Sequence, residues 1–188
     1  MYSPSYEQTL KSVADSLNMG RDPLFKVIMM ESSWKFDAYN PSGAVGLIQF
    51  MPQTLKGMGL LSPQLASLVP SHGAVPEDVK QMVRQEFLAK YPDAPSQLLG
   101  PVKAYFKGYA PFPTDQSVYM AVFYPAYRHA DLTTPFSDSI RAQNPGIDTV
   151  GDYVNHVNNV VMKKQLVQKG GPLLGLAALA IAGFVMLK

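Results

Sequence analysis

The stretch that decides the fold begins Leu24-Phe25-Lys26-Val27-Ile28-Met29-Met30-Glu31-Ser32-Ser33-Trp34. It continues Lys35-Phe36-Asp37-Ala38-Tyr39-Asn40-Pro41-Ser42-Gly43-Ala44-Val45-Gly46-Leu47-Ile48-Gln49-Phe50-Met51-Pro52. Leu24, Val27 and Ile28 form an apolar face, and Glu31 follows them by seven, four and three positions. A helix over 23–34 therefore sets Glu31 on its buried side. A carboxylate there must be paired or must hold its proton near neutral pH. The ordinary alternative is a glutamate near a helix end that turns to water. Gly43 and Gly46 allow backbone conformations and close approaches that a side chain blocks. They let the loop fold back beside Glu31, and Pro52 then opens the next helix.

Outward from this stretch the chain reads as mainly α. Apolar periodicity predicts helices over 4–18, 23–34, 52–58, 63–69, 76–90, 96–107, 115–130 and 149–168, and no convincing strand alternation is present. Pro4, Pro23, Pro63, Pro76 and Pro135 stand where proline suits a first helical turn, with Asp22, Ser62 and Thr134 before three of them as N-caps. Residues 91–113 hold five prolines among aromatics and read as a packed connection interrupting the helical body.

With 188 residues, 47% apolar and 16% charged, the chain is long enough for one core. A net charge of +2 without a Lys/Arg run gives no footprint for nucleic acid, so no nucleic-acid partner is expected. There is no cysteine, and His72, His129 and His156 show no zinc-helix spacing. No metal and no cofactor are expected. The 18 residues from Gly170 to Leu187 carry no charge, after Lys163, Lys164 and Lys169. That is the lower edge of what spans a bilayer. The expected organisation is a domain over 1–169 and a hydrophobic membrane segment over 170–188, against the alternative of a buried or self-associating helix.

The run from Glu31 to Pro52 resembles the signature of the lytic transglycosylases, a family related to goose-type lysozyme. The resemblance is carried by Glu-Ser at 31–32, the aromatic Trp34, Ala38-x-Asn40, Gly43-Ala44-x-Gly46-Leu47-x-Gln49 and Met51-Pro52. It implies a lysozyme-like helical transglycosylase domain with Glu31 as catalytic acid, acting on peptidoglycan glycan strands. It further implies cleavage between N-acetylmuramic acid and N-acetylglucosamine. Glu31 would protonate the leaving oxygen, then act as base on the C6 hydroxyl, which closes a 1,6-anhydro ring. One carboxylate then suffices where the usual glycosidase uses two. Asn40, Gln49 and Met51 match positions that line the sugar site. Gln49 has the alternative of capping local backbone, and Met51 that of filling the core. Trp34 is read either as a sugar platform or as packing against the glycine loop. Asp37, the nearest other acid, is read as solvated.

The later half matches less closely. Members usually carry Tyr-Asn-Ala-Gly on a helix whose tyrosine hydroxyl reaches the catalytic Glu. Here Phe123 occupies that register within Tyr119-Met120-Ala121-Val122-Phe123-Tyr124-Pro125-Ala126. Tyr124 and Tyr119 are the expected substitutes, with Tyr127 behind them. Asp148-Thr149-Val150-Gly151-Asp152-Tyr153-Val154 is similar to the family's closing helix, with Tyr153 read as core. The N-terminal residues show no basic stretch followed by an apolar run, so no secretory signal is expected. That pattern leads to the expectation of a bacteriophage, virion-associated enzyme, with virion proteins as partners. It would open the wall from the periplasm during entry, seated in a viral or host inner membrane. The competing expectations are an inactive structural protein with the same fold and a hydrolytic lysozyme.

Overall fold

The structure, a computed structural model, describes residues 4–168. Helix α1 (Pro4–Ser16) leads to α2 (Arg21–Ser32), and a long loop follows to α3 (Pro52–Gly57) and α4 (Pro63–Leu68). Then come α5 (Glu77–Lys90), α6 (Ala94–Gln97), a π turn (Leu98–Val102), α7 (Lys103–Lys107) and α8 (Asp115–Phe123). A 3-10 turn (Pro125–Tyr127), α9 (Asp138–Gln143) and α10 (Val150–Gln168) complete the order. No strand is present among the described residues, and only isolated bridges such as Tyr39–Val45 and Val45–Phe50 occur.

Helix α2 is the axis of the molecule, packed against α1, α8 and α10. This position explains why Leu24, Val27, Ile28 and Met29 are all buried although they span more than one face. A helix surrounded on three sides needs apolar residues around most of its circumference. Each such side chain contributes roughly 1.5–3 kcal/mol on burial. From α10, the stripe Val150, Tyr153, Val157 and Val161 is buried at spacings of three and four.

Several expected elements change in detail. The helix expected over 115–130 stops at Phe123, and Tyr124 is extended at φ −142°. Pro125 lacks an N–H and disfavours the helical conformation in the residue before it. The helix expected over 96–107 contains the π turn, with Pro101 inside it. The 91–113 connection therefore carries α6, the π turn and α7. Ser62 caps α4 as expected, its side chain accepting from the Leu65 N–H. Asp22 instead lies inside the first turn of α2, whose N-cap is Gly20. Thr134 and Pro135 open no helix. Pro135 bridges Thr149, and the Thr134 carbonyl accepts from the Val150 N–H at 3.1 Å. Helix α9 was not foreseen.

No helix among the described residues is long and apolar enough to cross a membrane. The hydrophobic segment expected over 170–188 lies outside the described residues, as does Lys169.

Candidate functional site

Glu31 sits in the last turn of α2, half-buried. Immediately after it the backbone turns sharply. Ser33 and Trp34 both adopt left-handed φ, at 53° and 67°. Such values are uncommon outside glycine and rare for a bulky side chain. Burial holds Trp34 in this conformation, since it is only 3% exposed. Its ring stacks on Tyr6 at 6.4 Å and meets Phe25 at 5.6 Å. Trp34 is thus a core residue between α1 and α2, too buried to serve as a sugar platform.

The loop from Lys35 to Met51 is folded by its own amides. The Asn40 Oδ1 accepts from the Ala44 N–H at 3.1 Å, and the Gly43 N–H donates to the Asn40 carbonyl at 2.9 Å. Gln49, at φ 51° and buried, donates from Nε2 to the Gly46 carbonyl at 3.1 Å. The amide of Gln49 therefore caps local backbone, which was the alternative reading of this residue. Met51 is half-buried at the N-cap of α3. Asp37 is exposed.

Gly46 has no room for a side chain. At φ +80°, a Cβ there would stand 2.7 Å from the Gln97 Oε1 and 2.8 Å from Phe87. Gln97 is fully buried and was not foreseen as part of the site. Its Oε1 accepts from the Leu47 N–H at 2.9 Å, while its Nε2 donates to the Phe36 carbonyl at 2.8 Å and the Tyr91 carbonyl at 3.1 Å. One side-chain amide from α6 thus ties both arms of the loop to the helical body. A satisfied buried amide of this kind fixes a single conformation, because losing any partner strands a polar group.

The Glu31 charge acts on groups from two helices, α7 and α10. Tyr153 of α10 is 3% exposed, and burial pushes its hydroxyl well above the ordinary phenol range, with the Glu31 charge adding to the effect. Tyr105 of α7 is raised by burial first, then by Tyr109 and by Glu31. Its hydroxyl donates to the Ala121 carbonyl of α8 at 2.8 Å, and its ring meets Phe50 of the loop edge-on at 5.8 Å. Lys164 of α10 has its proton affinity lowered by burial, with Glu31 acting in the opposite direction.

Of the tyrosines expected to replace the missing hydroxyl, Tyr119 lies elsewhere. Tyr119 is fully buried in α8 and raised by burial, then by Asp115 and Asp22. Asp22 precedes Glu31 by nine residues, about 13 Å along a helix. Tyr119 therefore belongs to the opposite end of α2. Tyr124 is half-buried, set edge-on to Phe123 at 4.8 Å, and raised by burial and by Tyr127. Tyr127 packs edge-on against Phe136 at 5.0 Å. Phe123 itself is 4% exposed and lies flat on Tyr153. A phenol that feels the Glu31 charge thus comes from α10, where the sequence suggested only core packing. Its period-matched place in the stripe Val150, Tyr153, Val157 was legible, but its partner was not.

Residues 10–68 match the family model described as Transglycosylase SLT domain. The matched region runs from α1 through α4 and includes Glu31 and the whole loop. No curated protein and no solved structure matches the chain.

Proposed function

We propose that the protein is a peptidoglycan lytic transglycosylase in which Glu31 is the catalytic acid and then the base. The observation that carries this reading is the setting of Glu31. It is a half-buried carboxylate at a helix end, at the foot of a loop locked by Gly46 and Gln97, within the region matching the transglycosylase family model. Protonated, Glu31 gives its proton to the oxygen between N-acetylmuramic acid and N-acetylglucosamine. The carboxylate so formed accepts the proton of the muramic acid C6 hydroxyl. The C6 oxygen bonds to C1, and the 1,6-anhydro end results without water. In this reading the Tyr153 hydroxyl orients the carboxyl, the part usually played from the helix that here carries Phe123. The loop presents Asn40 and Met51 to the glycan. Gln49 contributes by holding the loop in shape.

The phage-particle setting and a membrane segment over 170–188 belong to the same proposal and rest on the sequence alone. A second reading, an inactive protein of the same fold, draws on Phe123, which has no hydroxyl to offer. Mass spectrometry of purified peptidoglycan after digestion separates the readings. Anhydro ends support the transglycosylase, reducing ends indicate a lysozyme, and an unaltered glycan overturns both enzymes in favour of the inactive protein.

A further inference from the structure

The buried stripe of α10 runs Val150, Tyr153, Val157, Val161, and the next position in that rhythm is Lys164. Eleven residues after Tyr153 is just over three full helical turns, so Lys164 shares its face. Helical side chains lean toward the N-terminus, which carries the lysine stem back along α2. There its Nζ donates to the Met29 carbonyl and to the Met30 carbonyl, both at 2.8 Å. These are carbonyls of the final turn of α2, the turn that carries Glu31. A cation is favoured at that end of a helix by the backbone dipoles. Leaving such a lysine in the stripe costs desolvation, so an apolar residue would pack there more cheaply.

We propose that Lys164 is a positioning residue for Glu31: its ammonium clamps the last turn of α2 and holds a positive charge beside the carboxyl, so that α10 governs the pH range in which Glu31 can donate a proton. The consequence for rate rests on Glu31 being the catalytic acid, while the clamp and its charge do not. The ionisable groups that feel the Glu31 charge include Tyr105 from α7 and Tyr153 and Lys164 from α10. Both phenols are raised above their ordinary value and so stay neutral where a carboxyl titrates. Lys164 alone among the three supplies charge. Several other charged groups on the helices packed around α2 have partners of their own. Lys26 donates to Asn158, and Arg21 pairs with Glu7 of α1. His156 on α10 has its proton affinity lowered by burial first and then by Lys163. On α8, Asp115 acts on Tyr119 at the far end of α2.

A positive neighbour favours the ionised carboxyl and lowers the pH at which it gives up its proton. Neutralising Lys164 should raise that pH by about one unit, the lower end of what an opposite charge at short range produces. The test is a carbon-13 NMR titration of glutamate carboxyls in the full chain, with Glu31 assigned by its loss in Glu31→Gln. In Lys164→Gln the Glu31 midpoint moves up by about one pH unit, and in Lys164→Arg it stays within a few tenths. From the other side, Glu31→Gln lowers the pH at which the Lys164 ammonium deprotonates, since coupling is reciprocal. If Lys164→Gln does not fold, the Glu31→Gln arm decides alone. An unmoved Glu31 midpoint in folded Lys164→Gln, or an unmoved Lys164 midpoint in Glu31→Gln, overturns the proposal. In wall-cleavage assays the alkaline limb of the pH profile shifts upward with Lys164→Gln. Absence of cleavage by the unaltered protein would refute the catalytic reading, while the two titrations still judge Lys164.

Discussion

The ring of Phe123 lies on the ring of Tyr153 with centroids 3.9 Å apart and planes 6° from parallel. Stacked so closely, the two rings behave as one packed unit joining α8 to α10. The hydroxyl on that unit belongs to Tyr153, and the Glu31 charge is felt there. Tyr153→Phe should therefore keep the fold and lower turnover on the order of 10-fold, below the full value of a general acid–base partner. Tyr124→Phe should leave turnover within a factor of about two, because an aromatic contact survives the change. Clearing rates of purified cell walls, with thermal melts of each variant, check both. An unchanged rate in folded Tyr153→Phe would remove Tyr153 from the site.

Gly46 offers a stability test that separates crowding from conformation. Gly46→Ala places a methyl 2.7 Å from Gln97 Oε1 and 2.8 Å from Phe87 at φ +80°. Left-handed strain and overpacking together should cost roughly 2–4 kcal/mol. Gly59 has a similar φ of +67° with nothing within 4 Å. Gly59→Ala should cost only about 1 kcal/mol, the conformational part alone. Urea unfolding midpoints of the two variants give the comparison, and equal losses would mean that the loop does not press on Gln97.

The start of α10 carries a pH signature. The Asp152 carboxylate accepts from the Thr149 N–H at 2.9 Å and the Thr149 hydroxyl at 2.8 Å, while the Asp152 N–H donates back to the Thr149 hydroxyl at 3.2 Å. These bonds, the Thr149 hydroxyl first, hold the carboxyl below its ordinary value of 3.8. A depressed folded value means that the contribution is complete above the unfolded value and is lost as pH falls through the folded one. Asp152→Asn should therefore be less stable than the parent at pH 6, and the gap should close as pH drops below about 3.8. Thermal melts across pH 2–7 measure this. A gap that persists at low pH would show that the cap acts by shape rather than by charge.

Much of this arrangement could be read from local pattern. Leu24, Val27 and Ile28 placed Glu31 on α2, and Ser62-Pro63 marked the start of α4, because periodicity and capping act over a few residues. Pro125 also carried a local warning that the 115–130 reading passed over. Other features depend on partners far away in the chain. Thr134 and Pro135 looked like a helix start, yet their backbone is taken up by the segment leading into α10. Gln97 lies 50 residues from Leu47, and its role exists only once α6 packs under the loop. Lys164 reaches the last turn of α2, and Tyr153 feels the Glu31 charge, through the docking of α10 on α2, which no spacing within either helix encodes. Gln49 shows the reverse. Its motif position suggested sugar contact, and the left-handed backbone at Gln49 instead turns its amide onto the Gly46 carbonyl.

The central claim is that Glu31 supplies the proton that breaks the glycan strand. Glu31→Gln preserves the shape of the side chain and removes that proton. The decisive measurement is the rate at which soluble fragments leave purified peptidoglycan, parent against Glu31→Gln, with circular dichroism confirming that both are folded. A loss on the order of 10³-fold or more, with unchanged helicity, is the predicted result. A folded Glu31→Gln protein that releases fragments as fast as the parent would contradict the account.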